Sequence, residues 1–568
     1  MSERQVMQEN RVAASGGFGS ELRLGRYEGA VQARLERWEA ESFGRRLWAK
    51  DHTVWWPEPV AELTDRLGWL KLPESMRTEA EELARFAMEV RADGFRDAVV
   101  LGMGGSSLAP EVFSRTFRSA SAASGYPALT VLDSTHPAAV RAVADRLDPM
   151  HTLFVVSSKS GTTTETLSLF RAFWQWAGES LASTADAGRR FVAVTDAGTP
   201  LESLARERGF RAVFNTPQDV GGRYSALTSF GLVPAALIGA DLRELLARGR
   251  TMAEACTGPA SSNPGLRLGA ALGELARTGR DKLTFLASRG LESFPDWIEQ
   301  LVAESTGKLG RGIVPVVGEK PAEPYLYGKD RFFVGLLLGE DRPLEARLGE
   351  LEAAGHPVAR FRLGEPADLG REMYRWEMAT AAAGAALCVN PFDQPDVQLA
   401  KELASRAMKE RESGAPAGPA DEILATDAGP LGSALLHWLE GIGEGSYLGI
   451  HAYLPSAPET TEALHEIQAR LRDRTRLAVT AAYGPRFLHS TGQLHKGGPE
   501  ACRFLQLVDE PKMDLPVPET GYTFGTLIRA QADGDRKALE QRGRRVMRLN
   551  LGGDISGGLA RLREALGA

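Results

Sequence analysis

Phe154-Val155-Val156-Ser157-Ser158-Lys159-Ser160-Gly161-Thr162-Thr163-Thr164-Glu165-Thr166 passes from an apolar run, short enough for a buried strand, into a cluster of hydroxyls around one glycine. Leu167, Leu169 and Phe170 then begin a helical spacing, so the stretch reads as a strand, a turn and a helix N-terminus. First-turn N–H groups have no intrahelical partner and lie at the positive end of the helix dipole, which suits an anion. An ordinary N-cap would account for one Ser or Thr. Five hydroxyls in the seven residues from Ser158 to Thr164 favour a phosphate cradle instead.

Working outward, Asp97 to Leu101 is a second buried-strand pattern and ends at Gly102-Met103-Gly104-Gly105-Ser106-Ser107. Ala128 to Leu132 ends at Asp133, and Phe191 to Thr195 ends at Asp196, with helix-sized segments between. Strands without polar alternation, separated by helices, predict a parallel α/β sheet whose ligands bind beyond the carboxyl ends of its strands. The glycine turn lacks the G-x-G-x-x-G spacing of a dinucleotide site. Its glycines allow close backbone approach, with Ser106 as a second anion donor. Gly221-Gly222-Arg223-Tyr224-Ser225 then precedes an apolar segment, Leu227 to Leu237, which reads as a long buried helix. Arg223 is either a salt-bridged surface residue or a fixed cation, and these residues alone balance the two.

A second alternating set follows: Leu283 to Ala287, Phe332 to Leu338 and Val358 to Leu363. Residues 1–75 read as an arm, with helical spacing from Leu22 to Trp38 and with Trp48, Trp55 and Trp56 docking it onto a core. A Gly, Ala and Pro-rich linker, Glu412 to Ala420, leads to a third region, 421–568. Its runs Tyr447 to Leu454, Leu477 to Ala482 and Phe504 to Val508 suggest a small α+β domain. At 568 residues the chain exceeds one core, and 43% hydrophobic with 25% charged residues marks it as globular. A net charge of −7 gives no footprint for nucleic acid or for an acidic membrane surface. Cys256, Cys388 and Cys502 are widely spaced, which argues against disulfides or structural zinc and fits a reducing cytoplasm. The polar start, Met1 to Arg11, and the lack of a bilayer-length apolar run predict neither a secretory signal nor a membrane anchor.

Three further segments can carry chemistry. Ser293, Pro295 and Asp296 start a helix on which Gln300, Glu304 and Lys308, four apart, share a stripe. A solvated face is the plain alternative, but Ser305, Thr306, Gly307 and Gly310 are unusual company for one. Asn390-Pro391-Phe392-Asp393-Gln394-Pro395-Asp396 opens another helix, with Asp393 as cap, Pro395 in the first turn, and Gln394 and Lys401 facing the same way. Tyr483 to Gly498, irregular and Gly-rich, carries His489 and His495, side chains able to exchange protons near neutral pH.

Taken in order, the turn at Gly102, the loop Ser158 to Thr166, Gly221 to Ser225, Glu304 to Lys308 and Phe392 to Pro395 resemble the glucose-6-phosphate isomerase family. The resemblance implies an α/β fold of two SIS-type, doubly wound parallel-sheet domains, at 76–250 and 265–411, between the helical arm and the C-terminal α+β extension. It implies that Gly105, Ser106, Ser158, Lys159, Ser160, Thr162, Thr163, Gln300 and Gln394 bind a small sugar phosphate. Glu304 matches the base that moves a proton between C2 and C1 through a cis-enediol. Arg223 matches the residue that stabilises the enediolate charge, and Lys401 matches the lysine that opens the ring with a histidine. No metal or redox cofactor is implied, and a homodimer is.

One departure stands out. The family's His-Ser-x-x-Gln-Leu pattern precedes the Asp-Gln helix, whereas His489-Ser490-Thr491-Gly492-Gln493-Leu494-His495 follows it here. The third region or a neighbouring subunit must therefore deliver the histidine, with His489 favoured over His495. The layout also resembles the isomerase half of transaldolase–isomerase fusions, without room for a transaldolase barrel. The leading expectation is interconversion of glucose 6-phosphate and fructose 6-phosphate. Alternatives are a related isomerase that also takes mannose 6-phosphate, and a non-catalytic sugar-phosphate sensor. Glu304, Arg223 and Lys401 together argue against a sensor, because binding alone needs no proton-transfer base.

Overall fold

The computed structural model describes residues 18–118, 125–181, 184–412, 422–426 and 428–567. The polar start of the chain lies outside these residues, as does the expected linker apart from Glu412, which closes a helix.

The arm does more than dock. Its strand β1 (Ser20–Arg23) joins the second domain's sheet, a pairing that four residues of sequence do not announce. Helices Glu28–Ala40 and Phe43–Trp48 follow. Trp48 donates to the Cys256 carbonyl at 2.9 Å, and buried Trp55 donates to the Ala381 carbonyl at 2.7 Å. These tryptophans are packing residues, as expected. Trp56 stays 37% exposed.

In the first domain β2 (Asp97–Gly102), β3 (Ala128–Leu132), β4 (Thr152–Ser157), β5 (Phe191–Asp196) and β6 (Ala212–Thr216) form a wholly parallel sheet of order β3-β2-β4-β5-β6. The chain leaves β2 toward one edge and β4 toward the other. The crevice beyond their carboxyl ends is therefore the topological switch point where ligands bind in such sheets. It lies between the glycine turn and the hydroxyl-rich loop.

The second domain's β7 (Lys282–Ala287), β8 (Val314–Val316), β9 (Arg331–Leu338) and β10 (Val358–Leu363) take the order β1-β10-β9-β7-β8, with only β1 antiparallel. Apolar side chains of the arm and both domains, among them Trp38, Trp69, Val100, Phe285 and Trp376, form one continuous core.

The third region departs from the α+β expectation. β11 (Ile423–Leu424), β12 (Tyr447–Tyr453), β13 (Ala478–Tyr483), β14 (Cys502–Val508) and β15 (Arg545–Asn550) pair in the order β11-β15-β14-β12-β13, every pair parallel. Helices Pro458–Thr475 and Phe524–Gln541 supply crossovers, so this is a third parallel α/β domain. It shares cores with its neighbours. Ala303, Val314 and Val316 of the second domain pack with Tyr447, Leu494, Phe504 and Leu539, while Val517 and Phe524 join the first domain's Leu101 and Phe154. Each fully buried large apolar side chain contributes about 1.5–3 kcal/mol, so this docking is stabilised like a domain interior. Among the described residues no helix is long and apolar enough to cross a membrane.

Candidate active site

At the first domain's switch point, the hydroxyl-rich loop opens into the helix Thr164–Ser180, whose first turn has no side-chain cap. The loop is held by its own short bonds. Ser158 Oγ lies 2.9 Å from Thr163 Oγ1 and accepts the Gly161 N–H at 3.2 Å, while Ser160 Oγ lies 3.0 Å from Thr162 Oγ1. The loop thus sits at the positive end of a 17-residue helix, where an anion is favoured. Lys159 pairs with Asp196 at 2.5 Å.

Opposite lies Glu304, near the end of the helix Phe294–Thr306. Arg223 Nη2 stands 3.4 Å from Glu304 Oε1. Arg223 is 3% exposed, which answers the question left open by its sequence: it is a fixed, buried cation. Its guanidinium donates to the carbonyls of Pro391, Phe392 and Asp393 at 3.2 Å and to Gln394 Oε1. Gln394 Nε2 donates in turn to Glu62 at 3.3 Å, so the amide expected to hold the sugar is already engaged at both ends in steadying Arg223. Gln300 Nε2 donates to Glu304 Oε2 at 3.1 Å and to the His489 carbonyl at 2.8 Å.

Two local expectations are corrected. Lys308 is not on the helical stripe, because the helix ends at Thr306. Lys308 is instead 3% exposed and ion-paired with Asp393 at 2.7 Å. Burial, with the Arg223 charge adding to it against the pull of Asp393, pushes the Lys308 ammonium down to about 8. The later helix begins at Val397, so Asp393 and Pro395 precede it rather than cap and open it. Gln394 and Lys401 nonetheless reach the same cleft.

The third domain supplies the remaining wall. His489, in the short turn Arg486–His489, places Nε2 at 2.9 Å from Glu165 Oε1. Burial raises the Glu165 pKa, but the His489 charge and hydrogen bond, with Lys401 beyond, outweigh it and hold the carboxyl below the usual range. Gly104, at φ +56°, permits this approach: a Cβ there would sit 2.6 Å from the His489 carbonyl oxygen. A Cβ on Gly105 would sit 2.1 Å from the Gly222 carbonyl oxygen, so the glycine turn is shaped by backbone contacts on both sides. Arg486 anchors the turn to Glu111, to Asp133 at 3.4 Å and to Asp296 at 3.8 Å, bridging three domains. His495, six residues on, is 1% exposed, stacked among His451, Phe487 and Phe504, and remote from the cleft lining.

Every expected site residue except Thr162 and Arg223 lines one cleft of about 520 Å³. Thr162 is exposed beside it, and Arg223 lies behind Glu304. Sequence reading missed Glu62, Arg66 and Asp196 in the lining, and gave Glu165 no role. Glu165 had a signal, being the one carboxylate in the hydroxyl-rich stretch. Glu62, at φ +64°, had none.

A carboxylate backed by a buried cation, a histidine on a second carboxylate and a hydroxyl-rich loop thus meet at one cleft among three α/β domains, an arrangement suited to proton transfer on an anionic substrate. Comparison with known proteins narrows this. A family model described as Phosphoglucose isomerase matches residues 74–316. A glucose-6-phosphate isomerase of Rubrobacter xylanophilus is 31% identical over 418 residues, spanning 66% of this chain and 94% of that relative. A hypothetical protein from Thermus thermophilus, of solved structure, superposes with a TM-score of 0.59 at 30% identity, covering 68% of this chain and 99% of its own. The solved glucose-6-phosphate isomerase of Chlamydia trachomatis, at 19% identity and TM-score 0.56 over 72% of this chain and 91% of its own, shares the fold. The chain belongs to the phosphoglucose isomerase family.

Proposed function

We propose that this protein interconverts glucose 6-phosphate and fructose 6-phosphate by general acid–base catalysis. The observation that carries the reading is the convergence, within one cleft, of the Ser158–Thr163 loop, the Glu304–Arg223 pair and the Glu165–His489 pair. In this reading residues 76–250 hold the phosphate through Ser106, Ser158, Ser160, Thr163 and the open helix turn. Residues 265–411 supply Glu304 and Lys401, and residues 421–568 supply His489.

Ring opening comes first. His489 takes the proton of the anomeric hydroxyl, the bond from C1 to the ring oxygen breaks, and Lys401 protonates that oxygen. Glu304 then removes the C2 proton, negative charge passes to O1, and Arg223 offsets it. The O2 hydroxyl proton passes to O1, and the same carboxyl returns its proton to C1, so that the carbonyl now stands at C2 and the product is the ketose. No electron acceptor is required, because the carbonyl moves within the substrate. Gln300 and Lys159 shape the cleft, and Gln394 acts through Arg223.

Cytoplasmic operation and a homodimer complete the reading. His489 and Glu304 reach the cleft from the same chain, so in this reading the third domain takes the place of a neighbouring subunit in delivering the histidine. A coupled assay of fructose 6-phosphate conversion tests the proposal. Turnover is expected in the wild type, and binding of the sugar phosphate without turnover would overturn it. Light scattering during gel filtration tests the dimer against the 61.4 kDa chain.

A further inference from the structure

His489 is not the third domain's only contact with this chemistry. Gln531, in the helix Phe524–Gln541, is 5% exposed and donates from Nε2 to Glu165 Oε1 at 2.7 Å. Its Oε1 accepts the hydroxyl of fully buried Thr135 at 2.7 Å. The same Glu165 oxygen faces His489 Nε2 at 2.9 Å. Two residues of the first domain and two of the third thus alternate in one chain that runs from buried Thr135 out to His489 at the cleft.

The chain has a direction. An ionised carboxylate only accepts, so the amide must turn its NH₂ toward Glu165 and the imidazole must carry its proton on Nε2. That sends the Gln531 carbonyl to Thr135 and, whenever His489 is in its neutral form, leaves Nδ1 with its lone pair free. A second partner on a carboxylate limits its rotation and so fixes the tautomer and tilt of the ring it supports. Without the Gln531 donor, Glu165 Oε1 would keep the imidazole as its remaining side-chain partner, and the carboxylate could swing.

We propose that Gln531 is a positioning residue for ring opening, holding Glu165 so that His489 stays in the Nε2–H tautomer with Nδ1 free to exchange the sugar's hydroxyl proton. The proposal deepens the isomerase reading and rests on it for the reaction served. Its structural content, the tautomer, stands apart from activity.

The test is Gln531→Met, which keeps length and removes both amide groups. Its turnover of fructose 6-phosphate is compared with that of 5-deoxyfructose 6-phosphate, which cannot close a furanose. The expected loss in kcat is about 10- to 100-fold on the cyclic substrate and within about 3-fold on the acyclic one, with KM for both nearly unchanged. Nitrogen NMR of histidine-labelled protein, with the His489 signal assigned by His489→Ala, is expected to show a single Nε2–H tautomer in the wild type and an averaged ring in Gln531→Met. Thr135→Val, which leaves the donor but frees the amide, is expected to give a smaller change of the same kind and provides a second route. Equal losses on both substrates, or an unchanged His489 ring in both variants, would overturn the proposal. If the wild type turned over neither sugar, the isomerase reading would fall, while the NMR comparison would still decide whether Gln531 fixes the ring.

Discussion

The two walls of the cleft are built in opposite ways. The phosphate-loop wall is contiguous: Ser158 and Thr163 hold each other, as do Ser160 and Thr162, on a turn fixed by the strand before it and the helix after it. The histidine wall is assembled from a distance. His489 and Gln531 come from different elements of the third domain and meet Glu165 across 324 and 366 residues of chain. The first wall needs only its own domain to fold, whereas the second needs three domains to dock. Binding of the phosphate should therefore separate experimentally from ring opening, and both from the proton transfer at Glu304 that lies between them.

The largest effect belongs to that shared floor. Glu304→Gln is expected to lower kcat by about 10³-fold or more with KM changed only a few-fold, since the amide cannot act as base. Stopped-flow or discontinuous assays over a wide enzyme range check this. Retention of more than a tenth of the activity would remove Glu304 from its role.

The histidine wall comes next. His489→Ala is expected to slow turnover of the cyclic sugar by about 10²-fold while sparing an open-chain analogue. His495→Phe should leave both substrates nearly untouched. Its buried ring nitrogens, which have no hydrogen-bond partner, add nothing to the cleft, and a phenyl ring suits the surrounding aromatic stack. Arg486→Met should reproduce part of the His489→Ala signature, because the turn that carries His489 loses its anchor. Equal loss on cyclic and open-chain sugars in these variants would erase the distinction between the walls.

The phosphate wall is expected to respond in KM. Ser158→Ala combined with Thr163→Ala removes two charge-assisted hydrogen bonds, on the order of 2–3 kcal/mol, so KM should rise about 30- to 150-fold with kcat largely kept. A non-phosphorylated sugar should be indifferent to the change. An unchanged KM for the phosphorylated sugar would move the anchor elsewhere in the cleft.

This asymmetry also governs what could be read from sequence. Most strands of the first two sheets were legible because buried parallel strands carry apolar side chains on both faces and so show as unbroken runs, whereas β6, Ala-Val-Phe-Asn-Thr, is mostly half-buried and turns polar at its end, and was missed. β1, β8 and β11 escaped because two to four residues carry no periodicity, and each is defined by the strand it pairs with. β15 reads Arg-Val-Met-Arg-Leu-Asn, and its charges hid it. Without it the third region did not resolve into alternating strands and helices, which is why its parallel sheet was missed. In the site, whatever lies inside one motif was visible. The clamping of Gln394 by Arg223 and Glu62, the pairing of His489 with Glu165 and the place of Gln531 depend on residues hundreds of positions apart. The choice between His489 and His495 is likewise made by packing: only the turn that meets Gly104 reaches the cleft.

Lys308 gives the smallest expected effect and sharpens the comparison by pH. It lies behind the base, pairing with Asp393 and donating to the Asn390 carbonyl, and so steadies the segment whose carbonyls hold Arg223. Its ammonium is pushed down to about 8 in the folded protein, against 10.5 as the ordinary value. A base with a depressed folded pKa binds fewer protons than the unfolded chain between those values, so stability rises with pH across that window. The contribution is fully present above about 10.5 and is lost as the pH falls through about 8, leaving a charged, buried lysine that costs stability at neutral pH. Wild type should therefore gain on Lys308→Met by roughly 1–2 kcal/mol between pH 8 and pH 10, read as the difference in unfolding midpoint at each pH. The same comparison on the Ser158→Ala, Thr163→Ala protein should be flat, because the hydroxyls it removes do not titrate there. A flat difference for Lys308→Met as well would mean that the ammonium is solvated in the folded protein, and the segment from Asn390 to Gln394 would then hold Arg223 without its help.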